Sequence, residues 1–304
     1  MTKCKLYVLE SLRMSTNLKD RITYDPIEHR KKLKLPGGAR VAVWTVVTVE
    51  VWDPSGPLPR QVLSAPGGQR WQPDVPNWCW SEYGARVAFW RIKRILDEFN
   101  IKATLCINGS VCDHYPQIID AAIESDWEFM GHNIVQKPMH MMDDERQAIF
   151  DTAKIIQERT GKKLRGWMGP GLTETDDTPD YLTEAGLDYT TDWVIDDQPC
   201  PIETKNGTLY SIPYSVETND VVMSAIQTQP SSEIYDRIMD QFECFYEEGE
   251  EQPRVLSVCS HPYLSGVPHR IKYFRKIYEE LTKKQDIVFW TGDQIIDWYK
   301  EAVK

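Results

Sequence analysis

The chain has 304 residues, 41% of them hydrophobic and 27% charged, with a net charge of −11. That length supports one large α/β domain or two small ones, and a core of that size needs no disulfide or metal staple. The acidity argues against a nucleic-acid partner, which would need a basic face for phosphate, and the apolar runs are too short to cross a bilayer.

The opening stretch, MTKCKLYVLESLRM, has no apolar segment followed by a small-residue cleavage site. The seven cysteines are odd in number and lack CxxC spacing, which fits buried thiols in a reducing compartment better than a disulfide framework. A cytoplasmic location is expected. Residues 1–38 read as an N-terminal extension ending at the turn PGGAR, and VAVWTVVTVEVW (41–52) as a strand buried on both faces. Residues 53–82 are irregular and rich in Pro, Gly and Trp; loops this long in compact domains are usually lids or pocket walls. Helical periodicity runs from Tyr83 to Asn100, followed by the strand KATLCIN, the helix YPQIIDAAIESD and the strand WEFMGHN. DDERQAIFDTAKIIQERTG and TPDYLTEAG have acidic or Thr/Asp starts and glycine stops, and read as helices. LRGWMGP, DYTTDW, LYSIPYS, RVLSVCSHP and DIVFWTG supply further short strands. Strand alternating with helix implies parallel βαβ units, hence a barrel or a doubly wound sheet, with residues 39–304 as one domain.

Ligands of parallel α/β folds bind beyond the carboxyl ends of the strands. Glu50, His132, Asp192 with Asp196 and Asp197, and His261 all stand at or just past predicted strand ends, which places them at one rim. A glutamate within an apolar strand is costly unless it is paired, ligates a metal or stands at the strand's mouth. His132 follows a glycine that leaves room for a ligand, and His261 closes an apolar strand and is held by Pro262, as suits a general acid or base. Gln136 offers both ends of a carboxamide but is a poor metal ligand. His140 lies in the Met-rich loop PMHMM, where packing and ligation are both open. One of Asp196 and Asp197 in DWVIDDQP would cap a turn, while at least one would face the pocket. Trp71, Trp78, Trp80 and Trp167 could cover a flat substrate, although the loop tryptophans could equally pack the loop down or bury it against another subunit.

These motifs resemble the polysaccharide deacetylase (NodB-homology) superfamily over roughly residues 39–300. The likeness lies in VAVWTVVTVE, FNIKATLCINGSVCDHYPQIIDAAIESDWEFMGHN, RGWMGPGLTETDDTPDYLTEAGLDYTTDW and SVCSHPYLSG. The GW of the third motif, the DDQP segment and the glutamate ending the first strand look most like the allantoinase-like branch, whose members cleave cyclic ureides and imides. The resemblance implies a distorted (β/α) barrel with a catalytic histidine at His261. It also exposes departures. The family's aspartate base and aspartate ligand are matched by Thr48 and Glu50, its paired histidines by His132 and Gln136, and its Arg-x-Pro motif by Met168 and Pro170.

The expected activity is therefore hydrolysis of a non-peptide C–N bond in a small cyclic amide, such as a hydantoin, ureide or imide. Glu50 would activate water, alone or through a single divalent metal held with His132 and completed by His140. His261 would protonate the leaving nitrogen or stabilise the oxyanion, while Gln136, Asp196 and Asp197 bind the substrate's N–H and C=O groups. The lid 53–82 would enclose a small site, completed in a homo-oligomer. A metal-dependent N-deacetylase with altered ligands and a catalytically silent binding barrel are the rival readings.

Overall fold

The structure is a computed structural model that describes residues 18–304. Its centre is β1 (Val41–Val49), every residue of which is buried. β8 (Arg254–Ser260) runs parallel along one edge of β1 from Val41 to Val47. The other edge is shared: β9 (Ile287–Trp290) pairs with Val41–Trp44, and β2 (Thr104–Ile107) pairs with Val46–Val49. From β2 the sheet continues through β3 (Glu128–Gly131), β4 (Gly166–Trp167) and β5 (Tyr189–Thr190) to the hairpin of β6 (Cys200–Thr204) and β7 (Gly207–Ser211). All pairings are parallel except β6 with β7. The sheet curls into the distorted (β/α) barrel of the NodB type that the motifs imply.

Alternation along the strands sorts side chains into two cores, because successive residues of a strand face opposite sides. On the outer face Val41, Val43, Val47 and Val49 join Leu105, Phe129 and Trp167 against helical residues such as Phe89, Ile92, Ile149, Phe242 and Ile277. On the inner face Ala42, Trp44 and Val46 join Cys106, Met130, Met168, Tyr189, Tyr214 and Cys259. The Tyr189 ring lies so close to Gly166 that an added Cβ there would come within 2.1 Å of it. Any larger residue at 166 would drive the inner core apart.

Two points of the sequence reading are corrected. The helix before β2 starts at Val75 rather than Tyr83, because Asp74 caps it by accepting from Asn77 N and Pro76 occupies its first turn. It continues through a π-helical turn, Gly84–Ala88, into Phe89–Glu98. The buried Asn77 amide also binds Val62 N, Leu63 N and Leu63 O, pinning the irregular part of the lid to this helix. Secondly, β6 is a strand that the apolar pattern does not mark, although Asn206-Gly207 at its turn is a hairpin signal. The described part of the N-terminal extension packs onto the barrel. Arg21 pairs with Asp180 at 2.8 Å in a buried contact, and Leu33 and Leu35 are buried. Among the described residues no helix is long and apolar enough to cross a membrane.

At the end of the barrel where the strands begin, Glu128 accepts from Thr104 Oγ1 (2.6 Å), Tyr189 Oη (2.6 Å) and the Gly292 amide (2.7 Å). Burial, then the Asp293 charge, push its carboxyl from 4.5 up to about 7 against those hydrogen bonds. The folded protein thus keeps a proton that the unfolded chain releases near pH 4.5, so stability from this group is full below 4.5 and declines as pH rises towards 7. The thermal midpoint of the wild type is expected to fall across that window, and Glu128→Gln to flatten the fall. An unchanged slope in the variant would place the dependence elsewhere.

Candidate active site

Glu50 stands one residue past β1, at the carboxyl end of the sheet, and is 5% exposed. Its Oε2 accepts from the Trp52 indole at 2.6 Å and its Oε1 from the Gln136 amide nitrogen at 3.0 Å. His132, after β3, and His261, after β8, each bring Nε2 to 3.7 Å from the same Oε1. Three residues separated by 82 and 129 positions in sequence thus meet because their strands are parallel and adjacent in the order β3-β2-β1-β8.

Each imidazole is oriented from behind. His132 Nδ1 lies 2.7 Å from the Met168 carbonyl oxygen. A carbonyl only accepts, so Nδ1 carries the proton and a neutral His132 presents a lone pair at Nε2. That Nε2 is buried and has no hydrogen-bond partner. His261 Nδ1 lies 2.7 Å from Asp220 Oδ1, whose other oxygen accepts from the His261 amide (2.7 Å) and Ser265 Oγ (2.6 Å). Asp220 is fully enclosed and fixes both the ring and the backbone of His261.

A third oriented group is Asn108, at the end of β2. Its Oδ1 accepts from Val51 N at 3.0 Å, and its Nδ2 donates to the His132 carbonyl and, at 3.0 Å, to Gln136 Oε1. One amide therefore ties the exits of β1, β2 and β3 together and sets the direction of Gln136: with its oxygen taken by Asn108, its NH2 faces Glu50.

Burial by itself would raise the Glu50 carboxyl, but the two imidazoles and the Trp52 indole outweigh it and hold the group at about 2. Glu50 is thus an anion throughout the working range. With both oxygens engaged and so low a proton affinity, it is poorly suited to take a proton from water. Its chemistry is to present a fixed negative charge to two imidazoles.

The resemblance to polysaccharide deacetylases implies a divalent metal, and the donors here do not fit one. Gln136 points N–H groups, which cannot ligate, at the position where a ligand lone pair is required. His140, the expected third ligand, is exposed. It sits on the short turn Met139–Met141, in which Met139 takes the inward direction and is 1% exposed, so its neighbour is turned out. Among the described residues no group of three His, Cys, Asp or Glu is placed to hold a metal ion.

Other expected site residues lie elsewhere. Asp196 pairs with Arg30 at 2.5 Å, and Asp197 lies 3.6 Å from Arg254, with its carbonyl accepting from Val255 N. Arg254 and Val255 begin β8, whereas His261 follows its end; at about 3.3 Å per residue the two ends are roughly 20 Å apart. The DDQP segment has run back to the opposite end of the barrel. Trp167 is fully buried in the outer core, since the inner direction at β4 belongs to Gly166 and Met168. Asp192 does stay at the rim, where both its oxygens accept from Gly169 N at 3.0 and 2.8 Å.

The lid meets the site through aromatic rings. Trp80 packs edge-on against Tyr263 at 4.8 Å and Trp52 at 6.2 Å, and Tyr263 against Trp52 at 5.2 Å. Leu58 and Trp78 join the same cluster, while Trp71 is 63% exposed. Gly84 permits the approach of the lid helix, because a Cβ there would come within 2.9 Å of Tyr263.

The residues that sequence reasoning did not single out are Asp220, Asn108, Trp52 and Tyr263. Asn108 had a signal, standing with Gly109 just past a strand end like the residues that were chosen. Asp220 had none, since its partner is 41 residues away in a different connection.

Residues 81–190 match the family model for polysaccharide deacetylase. A Schizosaccharomyces pombe protein assigned as a polysaccharide deacetylase is 26% identical over 242 residues, covering 70% of this chain and 73% of its own length. A crystal structure assigned as a polysaccharide deacetylase from Pseudomonas aeruginosa superposes with a TM-score of 0.79 at 22% identity, covering 90% of this chain and 95% of that one. The PuuE allantoinase superposes with a TM-score of 0.78 at 24% identity, covering 91% and 95%. The matched region holds β2 to β4 with His132 and Gln136 between β3 and β4. Residues 81–190 thus resemble the polysaccharide deacetylase family, and the barrel has the fold of these solved structures.

Proposed function

We propose that the protein hydrolyses a C–N bond in a small cyclic amide, such as a hydantoin or cyclic imide, without a bound metal. The observation that carries this reading is the roof over Glu50: Trp52 donates to the carboxylate and is covered by Trp80 of the lid and by Tyr263. An aromatic roof suits a flat ring in this reading, whereas a polysaccharide chain needs an open groove.

In the proposed reaction, water is deprotonated by the free Nε2 of His132 as its oxygen bonds to the substrate carbonyl carbon. The Glu50 anion, 3.7 Å away, stabilises the imidazolium that results. The carbonyl oxygen takes up the negative charge, then the C–N bond breaks and the electron pair leaves on nitrogen. His261, protonated at Nε2 between the carboxylates of Asp220 and Glu50, donates its proton to that nitrogen. The product is a carboxylic acid, ionised to the carboxylate in water, that carries a ureido group (from a hydantoin) or a carboxamide (from an imide), and proton exchange with solvent resets the two histidines. Gln136 is committed to Glu50 and Asn108 and acts by positioning. The water-activating role first assigned to Glu50 passes to His132.

The test is hydrolysis of hydantoin, dihydrouracil and succinimide beside N-acetylglucosamine oligomers. Ring opening of a cyclic amide is expected. Release of acetate from the oligomers alone would establish the N-deacetylase reading, to which the matched family model and the fission-yeast relative lend support.

A further inference from the structure

Tyr263 is 3% exposed, and its hydroxyl is buried without any hydrogen-bond partner. Buried hydroxyls are almost always paired, since leaving one unpaired sacrifices its hydration for nothing. The ring itself is fully used, packed against Trp52, Trp80 and His261 with centroids 5.2, 4.8 and 5.6 Å away. Packing would be served equally by phenylalanine, so the oxygen requires a separate explanation. Two residues before it is the imidazole that faces Glu50, and above it is the lid.

We infer that the Tyr263 hydroxyl is a substrate-contacting donor that binds the carbonyl oxygen on which negative charge develops as the C–N bond is broken. This rests on the C–N hydrolase reading and adds to it the group that stabilises the oxyanion, which Glu50, His132 and His261 do not supply. The phenol is well matched to that task. Burial first, and the neighbouring Glu50 carboxylate next, hold its ionisation well above the ordinary tyrosine range, so it stays a donor. The Arg60 guanidinium, carried by the lid, acts in the opposite sense on the same hydroxyl. The Nε of Arg60 is likewise buried and unpartnered, and its guanidinium sets a positive charge near the Tyr263 hydroxyl. A donor aimed at a developing oxyanion in an enclosed site contributes far more than the same group in water.

Tyr263→Phe removes the oxygen and keeps the rings. Because no well-formed hydrogen bond within the protein holds the hydroxyl, although the Arg60 guanidinium approaches it, the thermal midpoint of the variant should equal or exceed that of the wild type. With hydantoin and succinimide as probes, kcat should fall by roughly 10²–10³ with KM changed by less than about threefold, since the contact strengthens as charge develops. A lowered thermal midpoint would reveal an internal partner and overturn the inference, as would an unchanged kcat in a wild type that turns these probes over. Should the wild type turn over neither probe, the C–N hydrolase reading itself fails and the inference falls with it, an outcome distinct from an active wild type whose Tyr263→Phe variant is unimpaired.

Discussion

Replacing His261 by alanine is expected to lower kcat by roughly 10²–10⁴ while the barrel remains folded. In the proposed reaction the imidazole hands a proton to the leaving nitrogen from the Asp220 side of the site, with Nδ1 held at 2.7 Å and Nε2 facing Glu50 at 3.7 Å. Folding should survive because the backbone anchor, His261 N to Asp220 Oδ2, does not involve the side chain. A modest loss of stability, about 1–3 kcal/mol, would accompany the change, since Asp220 Oδ1 is left buried without its donor. Turnover and circular dichroism measured on the same preparation separate the two effects. Near-full activity in a folded variant would reduce His261 to a structural residue.

Asp220→Asn should approach the same loss, on the order of 10²–10⁴, through His261 rather than through substrate. The amide keeps the size of the carboxylate, but it removes the charge that stabilises the imidazolium and lets its NH2 turn towards Nδ1, selecting the wrong tautomer. The double variant should be little worse than either single one, because both changes disable one proton-donating unit. Additive losses would mean that Asp220 acts independently of the histidine.

Much of this site was legible before the fold was known, and the failures have physical causes. VAVWTVVTVE declares a doubly buried strand with a charge at its end, and parallel pairing then brings Glu50 to the ends of β3 and β8. Asp196 and Asp197 misled because they follow the short β5 closely in sequence, while the chain between them and β6 descends to the other end of the barrel. His140 misled because spacing cannot tell which neighbour in a short turn faces inward, and burial of Met139 decided it. Trp167 illustrates the rule of alternation: once Met168 is inside, the residue before it must face out. The direction of the Gln136 amide was unreadable from sequence, since it is set by Asn108 from a different strand.

That amide direction is also where the absence of a fitting metal site is decided, so the most direct measurement is turnover of hydantoin or succinimide by protein dialysed against a strong chelator, with metal content determined on the same sample. Ring opening is expected to continue within about twofold of the untreated rate in protein holding far less than one metal ion per chain, and added zinc should not raise it. Activity lost to the chelator and restored stoichiometrically by a divalent metal would contradict the mechanism through His132, Glu50 and His261.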